Sequence, residues 1–416
     1  MAVRVFLQTF GCRANQYDSE AVAAMVSNGG GVLVASPENA DVAVFNSCAV
    51  TSAAEADLRQ QVRRLARVRE GVRTVVMGCA AARAPTELAA LPGVTDVIAG
   101  ADFAAVGAAI GLAVGSAGIT TVRQRGTRGL LRIQDGCDEH CTFCATTLAR
   151  GANRSRPVGS LVEEARGLAE HHAEIVLTGI HIGTYGAECG TSLGQLLYQL
   201  VRSVPAVRFR LSSVEATEVD VQLAELLTGD ASRVAPYLHA PLQSGSDAVL
   251  RRMGRHWYSA EKYAAAIEAL LARTSVFGLG ADVITGFPGE TDADHAQTVA
   301  LVMGLPFTGL HVFPYSERPG TAAVRLRGAV PPAMSRARAS ELRAIATASA
   351  AAYAAKRAGT EAEVIVIGHD DGHRDGLTED YLQVELAPPA PPRGARLRAR
   401  LERLDGHPRL LARPLT

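Results

Sequence analysis

Along the first hundred positions, apolar residues fall in short runs, and each run gives way to a polar stretch carrying a single apolar stripe. Val3-Arg4-Val5-Phe6-Leu7 ends in Gly11-Cys12 and is followed by DSEAVAAMVSN, a helical pattern with Asp18 and Ser19 placed to cap it. Asp41-Val42-Ala43-Val44-Phe45 ends in Asn46-Ser47-Cys48 and leads into TSAAEADLRQQVRRLARV, while Arg73-Thr74-Val75-Val76-Met77 ends in Gly78-Cys79. Successive βα units predict a parallel sheet, whose loops after the strands share one edge. Cys12, Cys48 and Cys79 are therefore expected to face one site. A single cysteine at a strand end is most simply a packing residue. Three at the same place in successive units point to a soft metal or an iron-sulfur site, although the wide spacing does not name the metal.

Residues 1–110 form this first domain, and 111–128 (GLAVGSAGITTVRQRGTR) read as a linker. From 129 the alternation resumes. Strands are predicted at LLRIQ (130–134), EIVLT (174–178), VRFRLSS (207–213), PYLHAPLQ (236–243), LGADVITG (279–286) and GLHVFPY (309–315), with helical stretches such as SLVEEARGLAEHH and SAEKYAAAIEALLA between them. Six βα units predict a partial barrel over 129–357, with its chemistry at the carboxyl ends of the strands. The helix AMSRARASELRAIATASAAAYAAKRAG then leads to 358–416, where EAEVIVIG, LTEDYLQVEL, ARLRARLERL and RLLARPL alternate with turns and predict a small all-β barrel. The fold class is thus α/β, a parallel βα domain and a partial (β/α)6 barrel, with a small β barrel appended.

Composition adds little. The 416 residues are 48% hydrophobic with a formal net charge of zero, and Lys262 and Lys356 are the only lysines. Arginine-rich, alanine-rich usage of this kind reflects base composition, so nucleic-acid binding has to come from local patches. No run is an uninterrupted apolar span of membrane length, the start MAVRVFLQTFGC does not resemble a leader, and seven cysteines without an export signal read as reduced thiols of a cytoplasmic enzyme.

The sharpest signal is DGCDEHCTFC. Cys137, Cys141 and Cys144 stand on one short loop directly after the first barrel strand. Three thiolates there suit three irons of a 4Fe-4S cube and leave the fourth iron without a protein ligand. A structural zinc site would recruit a fourth ligand, for which His140 is the local candidate, but it immediately precedes Cys141 and is expected to point away. Phe143 fits an aromatic residue packed over the cluster.

This CxxxCxxC loop, with an aromatic residue before its last cysteine, resembles the radical S-adenosylmethionine superfamily. There the open iron binds S-adenosylmethionine, whose cleavage yields a 5′-deoxyadenosyl radical, and the protein orients the cofactor and excludes solvent. Together with a three-cysteine domain in front, the chain resembles the methylthiotransferases over nearly its whole length. That resemblance implies two 4Fe-4S clusters, the second held by Cys12, Cys48 and Cys79, and two molecules of S-adenosylmethionine. It also implies an RNA-binding TRAM module at 358–416. GCRANQYDSE, NSCAVT, VLTGIHIGTYG, HAPLQSGSDAVLRRMGR, DVITGFPGET, HVFPYSERPGT and LTEDYLQV look most like the MtaB-type branch. By resemblance, that branch methylthiolates carbon 2 of N6-threonylcarbamoyladenosine beside the tRNA anticodon. The isopentenyladenosine-specific sister and a ribosomal-protein aspartate methylthiotransferase are the alternatives.

Other roles follow from position. Gly179, Ser212, Glu215, Gln243 and Asp282 lie at or near strand ends where the superfamily binds S-adenosylmethionine, and each could equally be a satisfied polar residue of a barrel rim. Arg393, Arg396, Arg398 and Arg400 alternate with apolar residues, as suits either a solvated strand face or an RNA-backbone contact. Arg63, Arg64 and Arg67 form a basic helix face that could meet the anticodon stem-loop. Cys189 matches no ligand spacing. The implied partners are tRNA, an electron donor and a sulfur source. Two other classes of function stay open, namely a non-catalytic iron-sulfur or zinc protein that binds RNA and a radical enzyme that inserts sulfur without methylating it.

Overall fold

The computed structural model describes residues 2–48, 52–69, 71–112, 123–368, 375–389, 391–404 and 409–415. Most of the predicted linker, 113–122, lies outside the described residues. The chain divides into two compact units: Met1–Arg125 with Gln134–His140 and Cys144–Arg154, and Gly126–Ile133 with Cys141–Phe143 and Ser155–Thr416.

The first unit is built on a five-stranded parallel sheet of β1 (Arg4–Phe10), β2 (Val32–Val34), β3 (Val42–Ser47), β4 (Arg73–Gly78) and β5 (Val94–Ala99), in the order β2-β1-β3-β4-β5. The short outer strands β2 and β5 add to the three expected ones. Strand β3 is buried at every position, because helices cover both faces of the sheet. Val5, Val44 and Val75 pack towards one face with Val22 and Val106, and Ala43, Phe45 and Val76 towards the other with Leu58 and Val62.

One sequence expectation is corrected here. The first helix runs Arg13–Asn28 and begins right after Cys12, five residues before the expected caps. Asp18 and Ser19 sit inside it, fully buried. They are polar because they serve the strand ends: Ser19 takes hydrogen bonds from Thr9 (2.6 Å) and Asn46 (3.0 Å), and Asp18 takes one from a buried arginine described below.

Strands β6 (Gly129–Asp135), β7 (Arg154–Ser155), β8 (Glu174–Gly179) and β9 (Arg208–Leu211) form a sheet of order β7-β6-β8-β9. Strands β10 (Tyr237–His239), β11 (Gly278–Thr285) and β12 (Gly309–Pro314) form a second parallel sheet. Parallel bridges Phe209–Val234 and Ser213–His239 carry the strand order from β9 to β10, giving the six expected barrel strands in sequence order. The helix Pro332–Arg357 leads to β13 (Glu361–Val366), β14 (Asp375–Thr378), β15 (Gln383–Leu386), β16 (Arg396–Glu402) and β17 (Leu411–Pro414), closed as a barrel of order β13-β14-β15-β17-β16.

The run LTEDYLQVEL is not one strand. It breaks into β14 and β15 around Glu379–Leu382, with Tyr381 in the left-handed region at φ +72°. This turn is the joint between the small barrel and the strands that precede it. Tyr381 stacks on Tyr237 at 4.4 Å, and Arg210 lies over the Tyr381 ring and donates to the Thr378 carbonyl at 3.0 Å. Arg357 reaches Glu379 (2.7 Å) and Asp380 (2.8 Å). Beneath them Glu174 accepts from Arg208 at 2.7 Å and from Arg210 at 2.8 Å, all three side chains having no solvent exposure. Glu174, Tyr237 and Gly278 begin their strands, so the small barrel is attached at the amino ends, opposite the edge where chemistry is expected.

Candidate active site

In the first unit the three strand-end cysteines meet through specific contacts. Gly11 has φ +115°, and a side chain there would collide with Cys48; the glycine lets Cys48 approach the turn that carries Cys12. Gly78, at φ +96°, plays the same part before Cys79, where a Cβ would strike Asn46 and Ser47. Asn15 and Asn46 tie the turns together, Asn15 donating to Asn46 Oδ1 at 2.8 Å and Asn46 returning a bond to the Asn15 carbonyl at 2.8 Å. A hydrogen bond from Cys48, joined by amides at the start of the helix and by the charge of Arg150, outweighs burial and brings the Cys12 thiol down to about 6. Burial pushes Cys79 up, against the pull of Arg150.

Arg150 was not identified from the sequence. Its buried guanidinium donates to Cys79 Sγ at 3.2 Å, to Asp18 at 2.7 Å and to Asp135 at 3.0 and 3.2 Å. Burial disfavours its charge, but Asp18, Cys79 and Asp135 together hold the proton more firmly than in water. Asp135 stands two residues before Cys137, and Cys137 N–H donates to the Gly151 carbonyl at 3.0 Å. One arginine therefore joins a strand-end cysteine to the base of the triplet loop. The sequence held one usable sign of this, a conflict between Asp18, which reads as a cap, and the apolar stripe around it.

In the second unit Cys141 lies beside Arg255, whose Nη1 is 3.6 Å from the sulfur. Arg255 is fixed by an ion pair with Glu215, by the Tyr258 hydroxyl at 3.0 Å and by the Trp257 ring at 4.6 Å. Tyr258 in turn donates to the Leu242 carbonyl at 2.7 Å. Burial pushes the Glu215 carboxyl up, opposed by Arg255. Glu215 Oε2 and Trp257 Nε1 are buried and without a protein hydrogen-bond partner. An acceptor and a donor left open on residues that touch Arg255 suit a polar cofactor, since buried groups of this kind are costly unless something pairs them.

The neighbouring backbone holds Thr142. Its N–H donates to the Met253 carbonyl, its hydroxyl to the Arg252 carbonyl, and its own carbonyl accepts from Ala323. Phe143 packs edge-on to Phe287 at 6.3 Å, and Phe287 edge-on to Tyr315 at 5.2 Å. Phe287 belongs to the turn GFPGE, which feeds a helix capped by Thr291 and Asp294.

Gly179 ends β8, and Ser212, following β9, donates its N–H to the Leu177 carbonyl. Gln243, at φ +62°, bridges its backbone to β11, a strained conformation of the sort held at functional sites. Asp282 lies deeper. Its Oδ1 is 3.1 Å from His239 Nε2 and 3.1 Å from His311 Nδ1, and these bonds overcome burial to hold the carboxyl well below its ordinary range. Of the barrel arginines, Arg396 is drawn inward, to the Ser232 carbonyl (3.0 Å) and Glu363 (3.6 Å), Arg393 bonds Thr127 (2.7 Å), and the exposed Arg398 pairs with Glu361 at 2.5 Å. Arg400 is exposed, as are Arg63, Arg64 and Arg67 along the helix Ser52–Val68. Cys189 is exposed and free.

Comparison with known proteins agrees with this division. Residues 4–100 match the family described as Uncharacterized protein family UPF0004, and residues 131–302 match the Radical SAM superfamily. The threonylcarbamoyladenosine tRNA methylthiotransferase MtaB of Thermotoga maritima is 34% identical over 401 residues, covering 92% of this chain and 91% of that protein. Its counterpart in Bacillus subtilis is 33% identical, covering 91% and 89%. The chain belongs to this family of radical SAM tRNA methylthiotransferases. Among solved structures, the cobalamin- and cluster-bound radical S-adenosylmethionine methyltransferase TsrM of Kitasatospora setae aligns with a TM-score of 0.59 at 14% identity, covering 78% of this chain and 77% of that one, a likeness of fold. As a radical SAM methylthiotransferase the chain works with S-adenosylmethionine and 4Fe-4S chemistry. No helix among the described residues is long and apolar enough to cross a membrane.

Proposed function

We propose that this methylthiotransferase acts on carbon 2 of N6-threonylcarbamoyladenosine in the anticodon stem-loop of tRNA, the substrate named for its relatives. The observation that carries the reading is the convergence of Cys12, Cys48 and Cys79, held by Asn15, Asn46 and Arg150. A second set of converging thiols gives a radical enzyme a place to hold the sulfur it delivers. Cys137, Cys141 and Cys144 would hold one 4Fe-4S cluster, with Phe143 packed beside it, and Cys12, Cys48 and Cys79 a second. When bound, these groups and S-adenosylmethionine supply electron transfer, a hydrogen-abstracting radical, sulfur and methyl.

The rest is done by the chain's own residues. Arg255 sets a fixed positive charge against the Cys141 sulfur, and Glu215 Oε2 offers an acceptor to the cofactor's hydroxyl or ammonium groups. Gly179, Ser212 and Gln243 shape the rim at the strand ends, with Asp282 below them. Arg150 gives the Cys79 sulfur a cationic hydrogen-bond donor and orients it through Asp18. RNA contact falls to the exposed Arg63, Arg64 and Arg67 and to Arg393, Arg398 and Arg400, more than to Arg396, which is engaged within the fold. An electron donor and a sulfur source complete the reaction.

The test is anaerobic incubation of the reconstituted protein with dithionite, S-adenosylmethionine and tRNA bearing threonylcarbamoyladenosine, followed by nucleoside mass spectrometry. The methylthio derivative of that nucleoside is the expected product. A methylthio-isopentenyladenosine product would move the chain to the sister specificity, and a thiolated but unmethylated adenosine would overturn the methylthio reading.

A further inference from the structure

Strands β11 and β12 each present two faces that alternate residue by residue. Leu279, Ala281, Val283 and Val312 point to the helices and belong to one apolar cluster with Val302, Ala339 and Leu342. Asp282, Ile284, His311 and Phe313 occupy the opposite face. On that face a histidine and a phenylalanine are open to solvent, the His311 side chain 67% exposed and Phe313 42% exposed. Their rings lie 6.3 Å apart at 67°.

Exposure alone would make them ordinary surface residues, but the polar groups behind His311 are organised. Asp282 faces His311 in register on the adjacent strand, and its Oδ1 meets both His311 Nδ1 and His239 Nε2 at 3.1 Å. His239 is backed in turn by the Tyr237 hydroxyl, 3.4 Å from Nδ1. Space is kept for this chain of groups. A side chain on Gly280 would come within 2.5 Å of the Tyr237 hydroxyl and 2.7 Å of His239 Nδ1, while a Cβ on Gly309, next to His311 on the same face, would meet nothing within 4 Å. Asp282 and His311 lie three residues before the ends of their strands, so the cluster sits one layer below the rim that carries Gln243 and Thr285.

An imidazole held through Nδ1 by a half-buried carboxylate keeps a fixed ring orientation. A neighbouring aromatic ring that is partly open to solvent suits a nucleobase. The threonylcarbamoyl group differs from plain adenosine in a ureido linkage, a hydroxyl and a carboxylate, all hydrogen-bonding groups, attached to a flat base. We propose that His311 and Phe313 form the subsite that reads the substituted adenosine, Phe313 lying against the base and His311 meeting the polar threonylcarbamoyl group. Asp282, His239 and Tyr237 position His311. This inference rests on the substrate proposed above. Three donors of this type can also hold a metal ion, but the 3.1 Å separations are hydrogen-bond lengths that a proton accounts for.

The experiment compares the affinity of the reconstituted enzyme for two anticodon stem-loop RNAs, one with threonylcarbamoyladenosine and one with unmodified adenosine, by fluorescence anisotropy. The wild type is expected to prefer the modified RNA. His311→Phe should lose about a factor of ten or more of that preference, the worth of one hydrogen bond to a polar or charged group. His311→Asn, which keeps a donor, should retain part of it. A His311→Phe enzyme with undiminished preference would overturn the subsite. Stoichiometric manganese binding seen by electron paramagnetic resonance and lost in Asp282→Asn would also overturn it, by making the cluster a metal site. A wild-type enzyme that neither prefers nor methylthiolates the modified RNA would instead overturn the substrate assignment, so the two failures are distinct.

Discussion

The two cysteine trios are built in opposite ways. Cys137, Cys141 and Cys144 follow one another on a loop, each partly exposed, whereas Cys12, Cys48 and Cys79 come from three strand ends, with Cys48 and Cys79 buried. In the loop the three cysteines lie within eight residues of sequence. At the strand ends the gathering needs a parallel sheet in register, two glycines with positive φ, a pair of asparagines bonded to each other and a buried arginine. A site of the second kind is only as sound as its supports, so its supports are where it can be broken.

The largest contrast is expected from the cysteines. Cys141→Ala should abolish both 5′-deoxyadenosine formation and methylthio product. Cys48→Ala should keep cofactor cleavage and lose the product. Chromatography of the two small-molecule products separates these outcomes, and normal methylthio yield from Cys48→Ala would make the strand-end trio a packing feature.

Next comes Arg150. Arg150→Met removes the cation that the fully buried Asp18 faces at 2.7 Å, a loss of about 3–5 kcal/mol in the stability of the first unit, measurable by denaturant unfolding. Arg150→Lys should recover part of it. At the loop trio Arg255 lies 3.6 Å from the Cys141 sulfur, and its main partner is Glu215. Arg255→Lys should therefore impair cofactor cleavage more than stability.

The third test uses the joint between the central strands and the small barrel. Burial alone would raise Glu174, yet Arg210 and Arg208 hold it well below the ordinary carboxylate range. A depressed carboxylate contributes stability that is present above its unfolded value of about 4.3 and lost as pH falls through the folded value. Glu174→Gln should lower the melting temperature at pH 7 and flatten the acid limb of the stability curve, and an unchanged acid limb would remove Glu174 from that role. The smallest effect is expected from Gly78→Ala. Strain at φ +96° costs about 1–2 kcal/mol, and the displaced Asn46 should lower iron incorporation at the strand-end site without affecting the loop.

The sequence was readable where chemistry and local spacing coincide. The six central strands could be read directly, because period-2 and period-3.6 patterns survive burial. So could the strand-end cysteines, through their repeated position. Arg150 was missed because its partners are 15, 71 and 132 residues away in sequence. Asp18 was misread as a cap, since a buried aspartate and a capping one look alike until the partner is known. Tyr381 lay in a run whose composition suits a strand, and only its stacking on Tyr237 and its backbone angle show a joint. The triad of Asp282, His239 and His311 was seen in part, as a single aspartate near a strand end, because its histidines come from neighbouring strands.

Iron and sulfide analysis with Mössbauer spectroscopy of the anaerobically reconstituted Cys137→Ala/Cys141→Ala/Cys144→Ala protein tests the central claim most directly. The account predicts about four irons per chain in a 4Fe-4S cluster held by Cys12, Cys48 and Cys79 alone. A protein without iron, though folded, would contradict it and leave the strand-end cysteines with no part in the chemistry.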